Sequence, residues 1–454
     1  MRKLLAVVLA LVAAPLFADD QLDKAIDGIL TKTGAPSASV AVVRDGKIAS
    51  VKAYGLARLD WPMQATPQMR YAIGSISKQF TAAAVLMLAE QGKLSLDDKV
   101  ARWMPELTRA KDVSIRQLLS MTSGYQDFWP QDYVMPEMVA PTTAQRIADT
   151  WAKKPLDFEP GTKWQYSNTN YTIAGAIVER VAGMPLIEFL RQRIFTPLQM
   201  TSVYDVDAAP LPGSSPERYS RYALGPLRRA PKEGKGWLFA AGELAMTAQD
   251  LAKWDISMID ESVLKPASYR EMERETLLAG GTGTRYGLGV SVGMADGRRV
   301  VSHNGEVSGF TAQNNVYPDD RAAIVVLTNL DATTASDQIA TKIAQTLFAT
   351  TDAGTEAATA QARRIFAGLQ KGEIDRALFT PNANAYFSAL ALKDFAASLG
   401  PLGTPQEFVQ TSQALRGGMT LRRYRVKFPN KTLRAWTFAM PDGKLEQFMV
   451  AAVE

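Results

Sequence analysis

The hydrophobic positions repeat with two different periods along the chain. Apolar residues between 22 and 30 recur at helical spacing and predict a helix. Two extended runs, 39–43 and 48–54, flank an Asp-Gly pair and predict a β-hairpin. A further helix is predicted from 75 to 91, and its segment 85–89 is apolar on every face. Such a helix has no solvent side, so we expect it in the interior of its domain.

The segment from about 95 to 280 has the pattern of helices joined by Pro- and Gly-rich loops, and the period changes to two after it. Four strands are then predicted, at 286–294, 299–304, 311–317 and 322–328. Strands joined by short turns pair antiparallel, and we expect these to return to the sheet begun by the N-terminal hairpin. The pattern predicts an α/β fold, an antiparallel sheet flanked by helices with an inserted helical subdomain.

The length favours two domains, because a chain of 454 residues exceeds what one hydrophobic core supports. We predict a first domain over 19–348 and a linker over 349–360, since that stretch is small, polar and rich in Ala and Thr. A small C-terminal α+β domain is predicted over 361–454. Basic and apolar residues alternate at 423–428, so one face of its sheet should be buried and the other basic.

The first eighteen residues have the layout of a secretory signal peptide. Arg2 and Lys3 precede an apolar run over 4–17, and we expect cleavage near Ala18 and export to the periplasm or the medium. The run is shorter than the ~20 apolar residues that span a bilayer, so a membrane anchor is disfavoured and no integral span is expected in the mature chain. The net charge is +5 and becomes +3 without Arg2 and Lys3, too little to favour a nucleic-acid partner.

Two residue counts narrow the chemistry further. The chain has no cysteine, which excludes a disulfide scaffold, a thiol nucleophile and thiolate metal sites. His303 is the only histidine, whereas zinc hydrolases commonly use two or three. We therefore expect neither a metal nor another cofactor.

A Ser-x-x-Lys segment at the start of the predicted buried helix is the first candidate for catalysis. Ser75 and Lys78 lie nearly one turn apart on the same helix face. A serine needs a base within hydrogen-bond reach, and a desolvated lysine near a helix N-terminus can lose its proton near neutral pH. A second copy, Ser262 to Lys265, runs into Pro266 and opens no buried helix, so we interpret it as a solvated loop.

Two later segments supply further polar groups. Tyr166 and Asn168 lie in a loop before a predicted helix, and a tyrosine beside a lysine can act as base toward serine and acid toward the leaving group. His303 lies at the end of a predicted strand, where Gly305 leaves room for a substrate backbone and the N–H of Glu306 offers an oxyanion donor. Each of these residues, taken alone, is more often structural, and their combination makes them candidates.

Together, these three elements resemble the signature set of the serine β-lactamase and penicillin-binding-protein superfamily. The third element here reads His303-Asn304-Gly305. The tyrosine form is similar to the class C β-lactamases, the D-alanyl-D-alanine peptidases, the D-aminopeptidases and their esterase relatives. The resemblance extends over residues about 20 to 348 and includes Thr122-Ser123-Gly124 and Glu159-Pro160-Gly161.

The resemblance implies a β-lactamase/transpeptidase-like fold and an acyl-enzyme mechanism. It implies Ser75 as nucleophile, Lys78 as base or proton relay and Tyr166 as partner base and acid, with an oxyanion hole formed by the N–H groups of Ser75 and Glu306. The substrate-binding residues that it implies are Asn168, His303, Asn304, Gly305 and Glu306. His303 and Asn304 stand where most β-lactamases have lysine and threonine, which disfavours antibiotic hydrolysis, and a largely neutral His303 should steer substrate choice away from carboxylates.

The predicted function is hydrolysis of an amide or ester in a small molecule or peptide: a D-amino peptide, a peptidoglycan-type peptide or a small ester, with β-lactams less favoured. The alternative is a penicillin-recognising protein whose acyl-enzyme does not turn over. Gly289 to Gly293 also fits the G-x-S-x-G elbow of α/β-hydrolases, with Ser291 and His303 as partners, but that elbow needs a helix after its strand. The sequence leaves the substrate and the oligomeric state open.

Overall fold

The computed structural model describes residues 19–131, 133–348 and 353–453, so the predicted signal peptide and its cleavage site lie outside the described residues. The chain divides into two compact units between Leu347 and Phe348. Within the described ranges, no helix is long and apolar enough to cross a bilayer.

Over its described residues, the first unit contains one large antiparallel sheet and two smaller sheets, one of three strands and one of two. Its strands are β1 (Ser37–Arg44), β2 (Lys47–Arg58), β3 (Met63–Gln64), β4 (Tyr71–Ala72), β5 (Tyr204–Asp205), β6 (Tyr219–Ser220), β7 (Arg228–Arg229), β8 (Leu244–Met246), β9 (Ser291–Ala295), β10 (Arg298–Val307), β11 (Phe310–Tyr317) and β12 (Ala322–Thr328). The large sheet has the order β3-β2-β1-β12-β11-β10-β9, so the N-terminal hairpin and the last four strands share it, which confirms the predicted fold class.

Helices flank this sheet. The helices of the first unit are α1 (Asp19–Thr33), α2 (Ser77–Glu90), α3 (Ile115–Leu119), α4 (Ala144–Ile147), α5 (Asn168–Ala182), α6 (Leu186–Leu190), α7 (Ala248–Ile259), α8 (Pro266–Met272) and α9 (Ala335–Leu347). Strand β12 is buried at every position, because α7 and α9 pack against it and β1 and β11 pair with it. Along the chain, helices α3 to α6 come after α2 and before the last four strands, as the predicted insertion requires.

Two predicted boundaries differ from the structure near β9 and β10. The strand predicted from 286 begins only at Ser291, because Gly289 takes a positive φ of +76° that interrupts the extended backbone. Tyr286 keeps a single bridge to Ser291. The strand predicted to end at 304 continues to Val307, since its pairing with β11 runs on to the turn.

The second unit has its own core. Its helices are α10 (Ala353–Leu369), α11 (Pro381–Tyr386) and α12 (Ala389–Leu399), and its antiparallel sheet has the order β13 (Glu407–Arg416), β14 (Met419–Lys427), β15 (Thr432–Ala439) and β16 (Leu445–Ala452). Phe366, Tyr424 and Val426 belong to a core cluster that is separate from that of the first unit. Residues 353–360 of the predicted linker are helical and begin α10, because alanine-rich sequence favours helix and α10 has a core-facing side at its end.

Candidate active site

Ser75 occupies a protected but accessible position. It lies on a short 3-10 turn, Gly74–Ile76, that leads into the buried helix α2, so α2 begins two residues later than predicted. Every residue from Ser77 to Leu88 is buried, whereas Ser75 itself is half-buried. The Ser75 hydroxyl therefore lies at the accessible N-terminal end of α2, a helix that is otherwise inside the domain.

Lys78 lies fully buried beside Ser75. Its Nζ is 2.9 Å from Ser75 Oγ and donates hydrogen bonds of 2.8 Å to Asn168 Oδ1 and 2.8 Å to the carbonyl oxygen of Ala241. Burial lowers the pKa of Lys78 to about 7, because the ammonium loses its hydration, and the carboxylate of Asp127 opposes that shift. A large fraction of Lys78 is therefore uncharged near neutral pH.

Tyr166 approaches the same two residues from the loop before α5. Its hydroxyl is hydrogen-bonded to Ser75, and Lys78 Nζ lies 4.9 Å from the centre of its ring. Burial raises the pKa of Tyr166 above its ordinary value, and the hydrogen bond with Ser75 opposes this. Tyr166 therefore keeps its proton at neutral pH.

Asp127 is a site residue that the sequence analysis missed. Its Oδ1 accepts the backbone N–H of Asn168 at 2.8 Å and that of Trp129 at 3.2 Å, and the Asn168 amide also donates to it. Burial raises the pKa of Asp127, while these hydrogen bonds and the charge of Lys78 lower it. Asp127 thus fixes the amide that contacts Lys78. No motif marks it, although it comes three residues after the Thr122-Ser123-Gly124 segment.

The third predicted segment lies in β10, and its residues alternate between two sides. Asn304 and Glu306 are exposed and line the cleft, whereas His303 and Gly305 are buried and do not line it. His303 and Gly305 therefore lie behind the surface of the cleft, and their contact with substrate stays a prediction. The physical reason is the period of two in a strand, which turns alternate side chains to opposite faces.

His303 is tied into the interior on both ring nitrogens. Nδ1 lies 2.5 Å from the carbonyl oxygen of Asn304, so it carries the proton, and Nε2 then accepts from the Tyr286 hydroxyl at 2.9 Å. Burial lowers the pKa of His303 to about 4; the charge of Lys78 also lowers it, whereas the bond to Asn304 raises it. His303 is therefore neutral and supports β10 from behind, with its ring centre 6.3 Å from that of Tyr166.

Gly305 makes room for the nucleophile turn rather than for substrate. A Cβ on Gly305 would lie 1.9 Å from the carbonyl oxygen of Ile73, and one on Gly74 would lie 2.7 Å from the backbone nitrogen of Glu306. Strand β10 and the Ser75 turn therefore pack backbone against backbone. This contact brings the N–H of Glu306 close to Ser75, where an oxyanion donor is needed.

A cleft of about 760 Å³ opens above these residues. Ser75, Tyr166, Asn168, Asn304 and Glu306 line it, so five of the eight predicted site residues reach its surface. Its remaining wall includes the carboxylates Asp127 and Asp331, the guanidinium of Arg221 and several aromatic side chains: Phe128, Trp129, Tyr133, Trp164, Tyr222 and Trp237.

The competing segments lack such surroundings. Ser262 and Lys265 are exposed, and Ser291 lies in β9, which turns into β10 without an intervening helix. The nucleophile elbow of an α/β-hydrolase is therefore not formed. Across the described residues, no group of three or more His, Asp or Glu side chains is arranged to hold a metal ion.

The fold and this constellation define the class of serine β-lactamases and penicillin-binding proteins. The family model described as beta-lactamase matches residues 22–348, most of the chain, and the chain therefore belongs to the beta-lactamase family. It is a serine hydrolase of that family.

Three relatives illustrate the similarity. Penicillin-binding protein 4* of Bacillus subtilis (strain 168) is 28% identical over 327 residues, which cover 68% of this chain and 71% of that protein. D-aminopeptidase of Brucella anthropi is 28% identical over 309 residues, which cover 65% of this chain and 56% of that protein. The crystal structure of a D-stereospecific amidohydrolase from Streptomyces sp. matches with a TM-score of 0.63 at 25% identity, over 73% of this chain and 99% of that chain.

Proposed function

We propose that this chain is an exported amidase or esterase that cleaves its substrate through an acyl-enzyme on Ser75. The observation that carries the proposal is the hydrogen-bonding arrangement of Lys78. An uncharged amine has two N–H groups and one lone pair. The carbonyl oxygens of Asn168 and Ala241 take the two N–H groups, which leaves the lone pair for the Ser75 hydroxyl at 2.9 Å.

The reaction then proceeds in two balanced halves. Lys78 takes the proton of Ser75 as the oxygen bonds to the substrate carbonyl carbon, and the N–H groups of Ser75 and Glu306 stabilise the oxyanion. Tyr166 gives its proton to the leaving amine or alcohol as that bond breaks, and Lys78 returns a proton to Tyr166. Water, deprotonated by the same pair, attacks the acyl carbon and releases the acid and the free Ser75 hydroxyl.

The charge of the cleft supports a substrate without a carboxylate. Among the described residues, Asp127, Glu306 and Asp331 line the cleft together with one cation, Arg221, which also donates to the carbonyl oxygen of Thr33. A substrate carboxylate ~8 Å from one of these acids is disfavoured by about 2 kcal/mol at an effective dielectric near 20, before screening by salt. A free amino group, which is positively charged, is instead attracted by the same acids. We therefore propose amides and esters of D-amino compounds as substrates and carboxylate-bearing β-lactams as poor ones.

The aromatic lining supports an apolar side chain on that substrate. Trp164, Tyr133 and Tyr222 are 39%, 65% and 83% exposed although they line the cleft. Large apolar groups left open to water beside a nucleophile are covered when an apolar ligand binds, which is favourable in proportion to the area buried. The relatives named D-aminopeptidase and D-stereospecific amidohydrolase agree with this substrate class.

A set of three nitroanilides with one leaving group tests the function. D-phenylalanine nitroanilide carries a free amine, its N-acetyl derivative is neutral and its N-succinyl derivative carries a carboxylate. We expect kcat/KM to fall in that order. We expect the differences in kcat/KM among the three substrates to become smaller in the combined Glu306→Gln and Asp331→Asn variant. Equal rates for all three in the wild type, or preference for the succinyl compound and for a chromogenic cephalosporin, would contradict the proposed substrate class.

Export rests on the N-terminal segment and has its own test. If residues 1–18 are removed on secretion, the protein recovered from the periplasm or the medium should begin near Asp19, as the mass of its N-terminal peptide reports. A protein that retains Arg2 and Lys3 would contradict export by cleavage.

A further inference from the structure

A buried glutamate lies under the turn that follows the proposed oxyanion donor. Glu233 is only 3% exposed, and its Oε1 accepts the backbone N–H of Ser308 at 2.8 Å. Ser308 comes two residues after Glu306 and begins the turn between β10 and β11. Glu233 is not part of the cleft wall, so its carboxylate acts on the site through the backbone it holds.

The segment that carries Glu233 is packed tightly against this turn. A Cβ on Gly309, whose φ is +78°, would lie 2.3 Å from the Cβ of Arg218 and 2.8 Å from the backbone nitrogen of Tyr219. Arg218 Nη1 lies 3.7 Å from Glu233 Oε2, and both side chains are largely shielded from water. Arg218 thereby offsets a negative charge that would otherwise oppose a nearby oxyanion.

The turn needs such anchoring because, within the part of the chain that the structure describes, β10 has no strand partner on one side there. Strand β9 pairs with β10 only from Arg298 to Ser302, so the edge beyond Ser302 faces the nucleophile turn instead of a ladder. On the opposite side of the turn, Asp331 Oδ2 accepts the N–H of Gly309 at 3.0 Å and Glu306 Oε1 accepts the N–H of Ala332 at 2.7 Å. Two carboxylates therefore accept the N–H groups of the turn, and a third links the end of β10 to Ala332.

We propose that Glu233 is a positioning residue for the oxyanion hole. Its hydrogen bond to Ser308 fixes the end of β10 so that the N–H of Glu306 stays aimed at the same point as the N–H of Ser75. The proposal rests on the proposed acyl-enzyme function, because it assigns a consequence to the same oxyanion donors. Preorganised donors of this kind lose much of their effect when they are displaced by a fraction of an ångström.

Two isosteric variants separate the hydrogen bond from the charge. Glu233→Met and Glu233→Gln both remove the negative charge, but only glutamine retains an oxygen that can accept from Ser308. We expect Glu233→Met to slow labelling of Ser75 by a fluorophosphonate and acylation by a nitrophenyl ester by about ten- to hundredfold, less than the loss of a donor outright. The ester's binding constant should stay within about twofold. Glu233→Gln should recover the rate to within about fivefold of wild type.

Ser308→Pro tests the same bond from the other partner. The positive φ of Gly309 fits a type II turn, in which proline is favoured at the position of Ser308, so this change removes the N–H and retains the turn. It also removes the Ser308 hydroxyl, which donates to the carbonyl oxygen of Pro231, so Ser308→Ala is measured beside it. Ser308→Pro should slow acylation as much as Glu233→Met does. If Glu233→Met does not fold, Ser308→Pro and Glu233→Gln still decide the question.

Asp207 supplies a matched control in the same region of the chain. It is 8% exposed and accepts the N–H groups of Gly236 at 2.9 Å and Leu238 at 3.0 Å, neither of which belongs to the β10 turn. Asp207→Leu should lower thermal stability and leave the acylation rate within about threefold. Wild-type acylation rates in Glu233→Met or Ser308→Pro, or an equal loss in Asp207→Leu, would overturn the proposal. Ser75→Ala separates a failure of the Glu233 proposal from a failure of the proposed function. Fluorophosphonate labelling that survives Ser75→Ala would refute the acyl-enzyme function itself.

Discussion

The two Ser-x-x-Lys segments of this chain share a spacing and differ in everything around it. Lys78 is 0% exposed and lies 2.9 Å from Ser75 Oγ. Ser262 and Lys265 are exposed, and the backbone N–H of Lys265 donates to Glu90 as α8 begins at the next residue. Burial lowers the pKa of Lys78 to about 7, an effect that needs the loss of water and not a particular spacing. The Ser-x-x-Lys motif therefore provides a base for the serine only where it leads into a buried helix, as at Ser75 and Lys78.

The largest expected difference between the two segments is in the serines. Ser75→Ala should lower turnover of a nitrophenyl ester by roughly 10⁴-fold or more, because no other group can form the acyl bond there. Ser262→Ala, and Ser291→Ala as a second control, should stay within about threefold of wild type in initial rate. Retained activity in Ser75→Ala, together with a loss in either control, would reverse the assignment.

The lysines should differ in the same direction. Lys78→Met preserves the buried volume and removes the base, so we expect acylation to slow by roughly 10²- to 10⁴-fold, the range of general-base catalysis. Lys265→Met should have no measurable effect, since that side chain is in solvent. Stopped-flow acylation rates measure both. A similar loss in the two variants would mean that burial is not what distinguishes them.

The pH dependence sharpens the comparison, because burial lowers the pKa of Lys78 to about 7. kcat/KM should rise with pH through about 7 to a plateau as Lys78 loses its proton. Asp127 favours the charged form of Lys78, so Asp127→Asn should move this limb to lower pH. Stability should also rise with pH above about 7, because the unfolded chain keeps a proton on Lys78 up to its ordinary pKa. A limb that is absent, or that moves to higher pH in Asp127→Asn, would contradict the account.

Substitutions of His303 test whether the buried face of β10, which does not line the cleft, affects the reaction at Ser75. His303→Lys would bury a charge against Tyr286, so we expect it to lower the free energy of unfolding by roughly 2–4 kcal/mol in urea. His303→Gln, which can still donate and accept, should cost less. Cephalosporin turnover should not improve in His303→Lys, because this side chain does not line the cleft. Improved turnover would restore the expectation, drawn from the sequence, that residue 303 meets the substrate.

The smallest expected effect belongs to the second unit, which has a separate core. A chain that ends after Phe348 should fold and react with a fluorophosphonate at the wild-type rate, since every group around Ser75 lies before that point. A folded but unreactive shortened protein would show that the surroundings of Ser75 extend into the second unit.

The features that were predicted correctly from the sequence are those that depend on neighbouring residues in the chain. The turn after β1 and the limits of β12 agree with the expected positions, and the Ser75, Lys78, Tyr166 and Asn168 side chains meet as their motifs imply. The sequence did not predict contacts between distant backbones. Nothing near Gly305 in the sequence shows that Ile73 lies against it.

Burial was the second property that the sequence did not supply. The pattern alone could not tell that His303 faces inward and Asn304 outward, because a pairing register shifted by one residue would exchange the two faces. Asp127 escaped notice for a related reason, since a single carboxylate in a loop has no spacing to recognise. Both residues became interpretable only through their partners, Tyr286 and Asn168.

The most direct test of the central claim is the location of the covalent adduct. The protein is treated with a fluorophosphonate, digested and mapped by mass spectrometry, with Lys78→Met as a comparison. We predict a single modified peptide with the label on Ser75, slowed strongly in Lys78→Met, and no label on the peptide that contains Ser262. A label on any other serine, or labelling of Ser75 at an unchanged rate in Lys78→Met, would contradict the account.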